Sequence, residues 1–172
     1  MDVRVETTYN QETLTAMARA LRKSIRKRRN RITKVFALFV IILGFFAGIG
    51  FYWLGVTASV DWLSLFAAIL VLVVLLYEDK LNGKIAGRRL VPGTQEAIAT
   101  FSPLFYQFQT QAAVSQWNYG EILFLCESSH YFILILSKYH AQALDKRRIT
   151  GGTAEELAKF LTQKTGLSIV PV

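Results

Sequence analysis

The chain is poor in the residues that build disulfides, metal sites and catalytic centres. It has one cysteine, Cys126, and two histidines among 172 residues. One cysteine cannot form an intramolecular disulfide and fits no multi-cysteine metal spacing. His130 and His140 stand ten residues apart near turn-forming sequence, with no cysteine pair or acid cluster at ligand spacing. The sequence therefore predicts no metal and no other cofactor.

Charge is scarce over one long stretch. Residues 35–77 contain a single charged residue, Asp61. Residues 35–54 have neither charge nor proline, and a helix of that length spans about 30 Å, the thickness of a bilayer's hydrocarbon core. Residues 62–77 form a second, shorter apolar run. A soluble core helix that is apolar on every face would need a far larger protein around it. The pattern predicts an antiparallel transmembrane hairpin with its loop at residues 55–61.

Acids are absent from residues 19–34, which contain nine lysines and arginines and account for the whole net charge of +8. The loop between the two apolar runs has no cation, whereas Lys80, Lys84, Arg88 and Arg89 follow the second run. Cations flanking spans stay in the cytoplasm. Both termini are therefore predicted to be cytoplasmic.

Two other interpretations of this region are weaker. A nucleic-acid-binding arm would have aromatic residues among the cations, and here the run joins an apolar span almost directly. A cleaved signal peptide would have a shorter apolar core and a shorter charged leader, although Val56-Thr57-Ala58 loosely resembles a cleavage site.

Basic residues beside a span meet the anionic leaflet first, and each contributes about 1 kcal/mol of attraction. We expect no nucleic acid partner. The expected contacts to anionic lipid headgroups or to a partner are Arg22, Lys23, Arg26, Lys27, Arg28, Arg29, Arg31, Lys146, Arg147 and Arg148.

Small residues indicate where the two apolar helices would touch. Gly44 and Gly48 are four residues apart, as are Ser64 and Ala68, with Ala67 beside them. Small side chains at this spacing let helix backbones approach closely.

The chain divides into three predicted segments: residues 1–34 and 78–172 in the cytosol, and the hairpin at 35–77. Residues 3–9 alternate apolar and polar side chains, which predicts a strand that joins the C-terminal sheet. Asn10 is placed to cap an amphipathic helix over residues 11–30. Its apolar positions, Leu14, Met17, Leu21 and Ile25, would lie on the cytosolic domain or on the bilayer.

The C-terminal part has an α+β pattern. Strand-forming sequence covers residues 98–108, interrupted by Pro103, and recurs at 122–126, 131–136 and 141–144. Thr153 and Glu156 have capping-box spacing, and Gly166 fits the position after the last turn of the helix they open.

Three motifs follow one another in the C-terminal part: Trp117-Asn118-Tyr119-Gly120-Glu121-Ile122, Tyr131-Phe132-Ile133-Leu134 and the Lys146-Arg147-Arg148 corner. Their order resembles the YcxB-like family of small bacterial membrane proteins. The likeness is best over about residues 100–165, and Asp145 stands where that family often has proline. The resemblance implies a pleckstrin-homology-like cytosolic sheet capped by a helix, in the bacterial inner membrane. It implies no biochemical activity.

No set of acid, base and nucleophile is visible. Cys126 lies in a predicted apolar strand, where a small core residue is expected. Ser128-Ser129 and Gly151-Gly152 are predicted to lie in turns. The sequence predicts a non-catalytic, membrane-tethered binding module, an accessory or regulatory subunit that binds a protein partner or a second copy. The alternatives are an anionic-lipid surface sensor and an enzyme with an unrecognised site.

Overall fold

The computed structural model describes residues 3–55 and 60–172. Over these residues the protein is mixed α/β with two sheets. It has two compact units: residues 3–26 with 82–172, and Lys27–Leu81 apart from residues 56–59. The cleavage-like Val56-Thr57-Ala58 lies outside the described residues. The apolar unit is thus inserted between two parts of the other unit.

The first sheet has the order β4-β3-β2-β1-β8 and is antiparallel throughout. Its strands are β1 (Val3–Thr8), β2 (Glu96–Phe101), β3 (Phe105–Thr110), β4 (Val114–Asn118) and β8 (Ile149–Thr150). Val3 pairs with Phe101 and Val5 with Ile149. The prediction that the N-terminal strand joins the C-terminal sheet is confirmed, and the break at Pro103 separates β2 from β3.

The second sheet has the order β7-β6-β5-β9. Its strands are β5 (Phe124–Glu127), β6 (Tyr131–Ile135), β7 (Ala141–Asp145) and β9 (Ile169–Pro171), with β9 parallel to β5. Every residue of β6 and β7 is buried. Both faces of these strands are therefore covered.

One face of β6 and β7 belongs to the main core, which also includes Phe101, Tyr106 and Leu157. Leu157 lies on α6 (Ala154–Thr165), which begins with the predicted capping box: Thr153 Oγ1 accepts from the Glu156 amide, and the Glu156 carboxylate accepts from the Thr153 amide. Gly166 ends α6 at a φ of +69°, a conformation that favours glycine.

The other face is covered by α1 (Gln11–Lys23), capped by Asn10 as predicted. Met17, Ala20 and Leu21 pack in a cluster that contains Ile133. The apolar face of this helix therefore lies on the domain.

The prediction of one helix over residues 11–30 is wrong. The helix ends at Lys23: Ser24 leaves the helical conformation, with φ −99° and ψ −94°, and the Arg26 amide donates to the Leu21 carbonyl, five residues back, at 3.1 Å.

The inserted unit begins with a helix over Lys27–Trp53, made of α2 (Lys27–Phe45), a π-helical turn (Phe46–Gly50) and α3 (Phe51–Trp53). Next come α4 (Trp62–Leu76) and α5 (Glu78–Arg88), which continues into the other unit. Among the described residues, only Lys27–Trp53 is by itself long and apolar enough to cross a membrane. The fifteen-residue α4 meets that test only together with α5, from which it bends by 70°.

The segments that flank the inserted unit lie against each other. A Cβ added to Gly83 on α5 would come within 2.7 Å of Thr15 Oγ1 and 2.9 Å of the Thr15 amide on α1. Only glycine permits this approach. The chain entering the apolar unit and the chain leaving it are thus packed together within one domain.

Two hydroxyl groups close the outer edge of β7. The Asp145 amide donates to Thr7 Oγ1 at 3.0 Å, and the Ala143 amide donates to the Tyr9 hydroxyl at 3.1 Å. Unpaired edge amides invite pairing with another chain. Here the segment before the insertion occupies them.

Candidate functional site

The surface of the inserted unit after its basic start is mostly apolar. The side chains of Phe36, Phe39, Ile42, Leu63 and Phe66 are each more than half exposed. Contiguous exposed apolar surface of this extent marks a membrane or protein contact.

The contact between α2 and α4 is made of small residues. A Cβ added to Gly44 would lie 2.8 Å from the Ala68 Cβ and 3.1 Å from the Ser64 carbonyl oxygen. One added to Gly48 would lie 3.2 Å from the Leu65 Cβ. The structure thus brings together four of the five residues singled out for packing.

Ala67 is exposed and does not lie at that contact. At 100° per residue it points about 120° away from the face that holds residues 61, 65 and 68. Leu65 takes its place, a residue that the search for small side chains passed over.

Asp61, the one charge of the apolar stretch, caps α4. Its carboxylate accepts from the Leu63 and Ser64 amides at 3.1 and 3.3 Å and from the Ser64 hydroxyl at 2.5 Å. Its own amide donates to the Gly48 carbonyl at 3.0 Å. Asp61 therefore lies beside Gly48. Gly48 precedes Leu54 by six residues, which is about 9 Å of helix.

The N-terminal basic run is divided by the helix break. Arg22 and Lys23 end α1, Arg26 lies in the turn, and the other cations open α2 with exposed side chains: Lys27, Arg28, Arg29 and Arg31. The run therefore straddles the boundary between the two units.

Arg26 reaches the turn between β6 and β7. Its guanidinium donates to the Lys138 carbonyl at 2.6 Å and lies 5.8 Å from the centroid of the Tyr139 ring. The Lys138 ammonium lies 5.0 Å from the same ring. We call these three residues the turn cluster. Sequence reasoning missed Lys138 and Tyr139, although a cation beside an aromatic residue in a predicted turn was a signal available to it.

The Lys146–Arg148 corner is paired with acids of its own domain. Lys146 Nζ is 2.8 Å from the Glu127 carboxylate, and an Arg148 nitrogen is 3.4 Å from that of Glu6. Arg147 donates to the Asp145 carboxylate through Nε at 2.9 Å and Nη2 at 2.8 Å. These pairs neutralise most of the corner's charge locally.

Asp145 is almost fully buried. Burial alone would raise the pKa of its carboxyl group, but the hydrogen bonds and charge of Arg147 lower that pKa below its ordinary value. Arg147 Nη2 also lies 3.9 Å from the Glu12 carboxylate, in the first turn of α1. Arg26 follows the last turn of the same helix, which is about 20 Å long. The two basic groups are therefore at opposite ends of α1 and do not form one patch.

The remaining candidates are accounted for structurally. Cys126 is buried against α1, and burial raises the pKa of its thiol. His140 packs edge-on against Trp117, with ring centroids 5.1 Å apart. No group of three histidine, cysteine or acidic side chains within residues 3–55 and 60–172 could hold a metal ion. At the start of α6, the Thr153 and Glu156 amides are engaged by the capping box.

A shallow cleft of about 280 Å³ lies along β1, β2 and β3. Its lining is largely polar and includes Glu6, Glu96, Gln109 and Arg148. No sequence pattern indicates this cleft, because its lining combines residues of β1 with residues of β2, β3 and Arg148, which are far from β1 in the chain.

No family model matches the chain, and no match was found among the curated proteins or the solved structures.

Proposed function

We propose that the protein is a non-catalytic binding module tethered to the cytoplasmic face of a bacterial inner membrane by a two-helix hairpin. The observation that carries this proposal is the insertion of the apolar unit into the α/β domain. The domain is completed only by pairing β1, before the insertion, with β2 and β8, after it.

This pairing constrains how the hairpin meets a membrane. Both ends of the inserted unit lead into one folded domain, which favours their emerging on the same side of the membrane and supports two crossings rather than one. We propose that α2 crosses outward and α4 returns. The fifteen residues of α4 span about 22 Å, so the return requires a bilayer that is thinned locally.

Orientation follows from the flanking charges. The nine cations before the hairpin and the four after it favour the cytoplasm for the domain. This orientation agrees with the resemblance to YcxB-like proteins. From the same resemblance we propose a pleckstrin-homology-like role for the two sheets and α6, which would present a rigid surface to a protein partner or a second copy.

A second candidate, an anionic-lipid surface sensor, is favoured by the exposed cations Lys27, Arg28, Arg29 and Arg31 at the start of α2. The Lys146–Arg148 corner contributes little to it, because its charges are paired within the domain.

Reporter fusions at residue 58 and at the C-terminus test the topology. The expected result is a periplasmic signal at 58 and a cytoplasmic signal at the C-terminus. A cytoplasmic signal at 58 would overturn the tethering proposal.

Affinity purification of the intact protein in mild detergent tests the binding role. We expect a stoichiometric protein partner or a defined oligomer. Recovery of a monomer alone, across detergents and growth conditions, would contradict the module proposal and leave the sensor as the better candidate.

A further inference from the structure

We propose that the turn cluster, Arg26, Lys138 and Tyr139, is a docking site for anionic phospholipid headgroups that holds the α/β domain against the membrane surface. The inference rests on the tethering proposed above. It assigns a lipid contact to the β6–β7 turn.

The first support is exposed aromatic surface. Tyr139 is 78% exposed at the tip of a tight turn, whereas both strands that it joins are fully buried. The Ser137 hydroxyl accepts hydrogen bonds from the Tyr139 and His140 amides at 3.2 and 3.0 Å, which stabilises the turn. Amphipathic rings such as tyrosine favour the membrane–water interface.

The second support is uncompensated positive charge. Arg26 contacts the Lys138 carbonyl oxygen and the Tyr139 ring, and the Lys138 ammonium contacts the same ring. Neither side chain forms an ion pair with a carboxylate in the described part of the chain. This contrasts with the Lys146–Arg148 corner, where each cation faces an acid. The positive charge of the turn cluster is therefore available to an external anion.

The third support is reach. Arg26 precedes α2 directly, and eight helical steps lead from Lys27 to Val35, where the uncharged run begins. At 1.5 Å per residue plus one peptide step, Arg26 is at most about 16 Å from that boundary. The headgroup layer occupies about 5–8 Å of this distance and the Debye length in physiological salt is about 8 Å. At most about 8–11 Å then separates Arg26 from the lipid headgroups, which is close to the Debye length.

The test uses the full chain in nanodiscs of phosphatidylcholine, with or without phosphatidylglycerol. Amide hydrogen exchange over residues 137–141 is the readout. We expect exchange to slow as the anionic fraction rises. Replacing a cation with Lys138→Gln or Arg26→Gln should weaken the preference for anionic lipid about fivefold, the effect of one surface cation.

A matched control is available on α6, where the Lys164 ammonium lies 5.9 Å from the Phe160 ring centroid. Lys164→Gln removes a similar cation–aromatic contact and should leave the lipid response unchanged. Unfolding in neutral discs checks that each variant keeps the fold.

Three results would overturn the proposal. Exchange at the turn could be the same in neutral and anionic discs. Lys164→Gln could weaken the response as much as Lys138→Gln does. Inorganic phosphate added to neutral discs could reproduce the protection, which would assign the cluster to a free anion. These failures are distinct from a cytoplasmic reporter signal at residue 58, which would remove the tether itself.

Discussion

Thr7 joins the segment before the apolar insertion to the sheet built after it, and its hydroxyl is the perturbation we develop first. The side chain is 2% exposed, and Oγ1 accepts the hydrogen bond from the buried Asp145 amide at 3.0 Å. Thr7→Val has nearly the same shape but cannot accept that bond. The Asp145 amide is then left without this acceptor inside the domain.

A buried donor left unsatisfied costs about 1–3 kcal/mol. With a urea m-value of about 2 kcal/mol/M, the unfolding midpoint should fall by about 1 M. Thr7→Ser keeps an acceptor and loses one methyl group, so it should cost about 1 kcal/mol or less.

The buried Cys126 provides the assay. It is the only cysteine in the sequence and lies in the α/β unit, so the rate at which a thiol reagent labels it in urea reports the opening of that unit. The matched control is Thr150→Val, which removes an exposed hydroxyl bond to the Arg4 carbonyl on the same sheet. A Thr7→Val protein that is labelled at the same urea concentration as wild type and Thr150→Val would refute the edge-closing role of Thr7.

Three further predictions concern other contacts. Gly44→Val should destabilise the hairpin by about 1–3 kcal/mol, because even a Cβ would clash with Ala68; the aggregation temperature in detergent should fall, whereas that of Ala67→Val, on the exposed face, should not. Asp145→Asn should lower the urea midpoint at neutral pH. Folding lowers the pKa of this carboxyl group, so its contribution to stability is present above the unfolded-state pKa of about 3.9 and is lost as pH falls through the folded-state pKa. The urea midpoints of the two proteins should therefore converge in acid. A difference between the midpoints that widens in acid would contradict the ion-pair explanation. Thr153→Ala should cost about 1 kcal/mol by removing the cap of α6, measured by the same thiol labelling; an unchanged midpoint would mean that the cap is not stabilising.

Elements with local signals were predictable from the sequence. Asn10 and the Thr153–Glu156 pair each place a side-chain acceptor at fixed spacing from free helix amides, so both helix starts were found. The end of α1 was missed, because Ile25 continues the apolar period through the break at residues 24–26.

Short strands were missed for a different reason. The strands β8 and β9 have two and three residues, too few to show an alternation, and they exist because distant partners such as Arg4 and Leu125 offer free backbone groups. The same distinction between local and long-range signals applies to the candidate site. The basic run is visible as composition, but Arg26 meets Lys138 across 112 positions and Arg147 meets Glu12 across the fold.

The split of the domain around its insertion has a consequence for synthesis. Val3 leaves the ribosome 98 residues before its partner Phe101, with the whole apolar unit between them. In the proposed topology, β1 waits unpaired until the hairpin has entered the bilayer and returned. If only one of the two helices crosses, the two parts of the sheet lie on opposite sides of the membrane and cannot pair; if the hairpin inserts in reverse, both parts lie outside the cytoplasm. Correct insertion thus becomes a precondition for folding, and a misinserted chain exposes β1 and the apolar face of α1 to proteolysis.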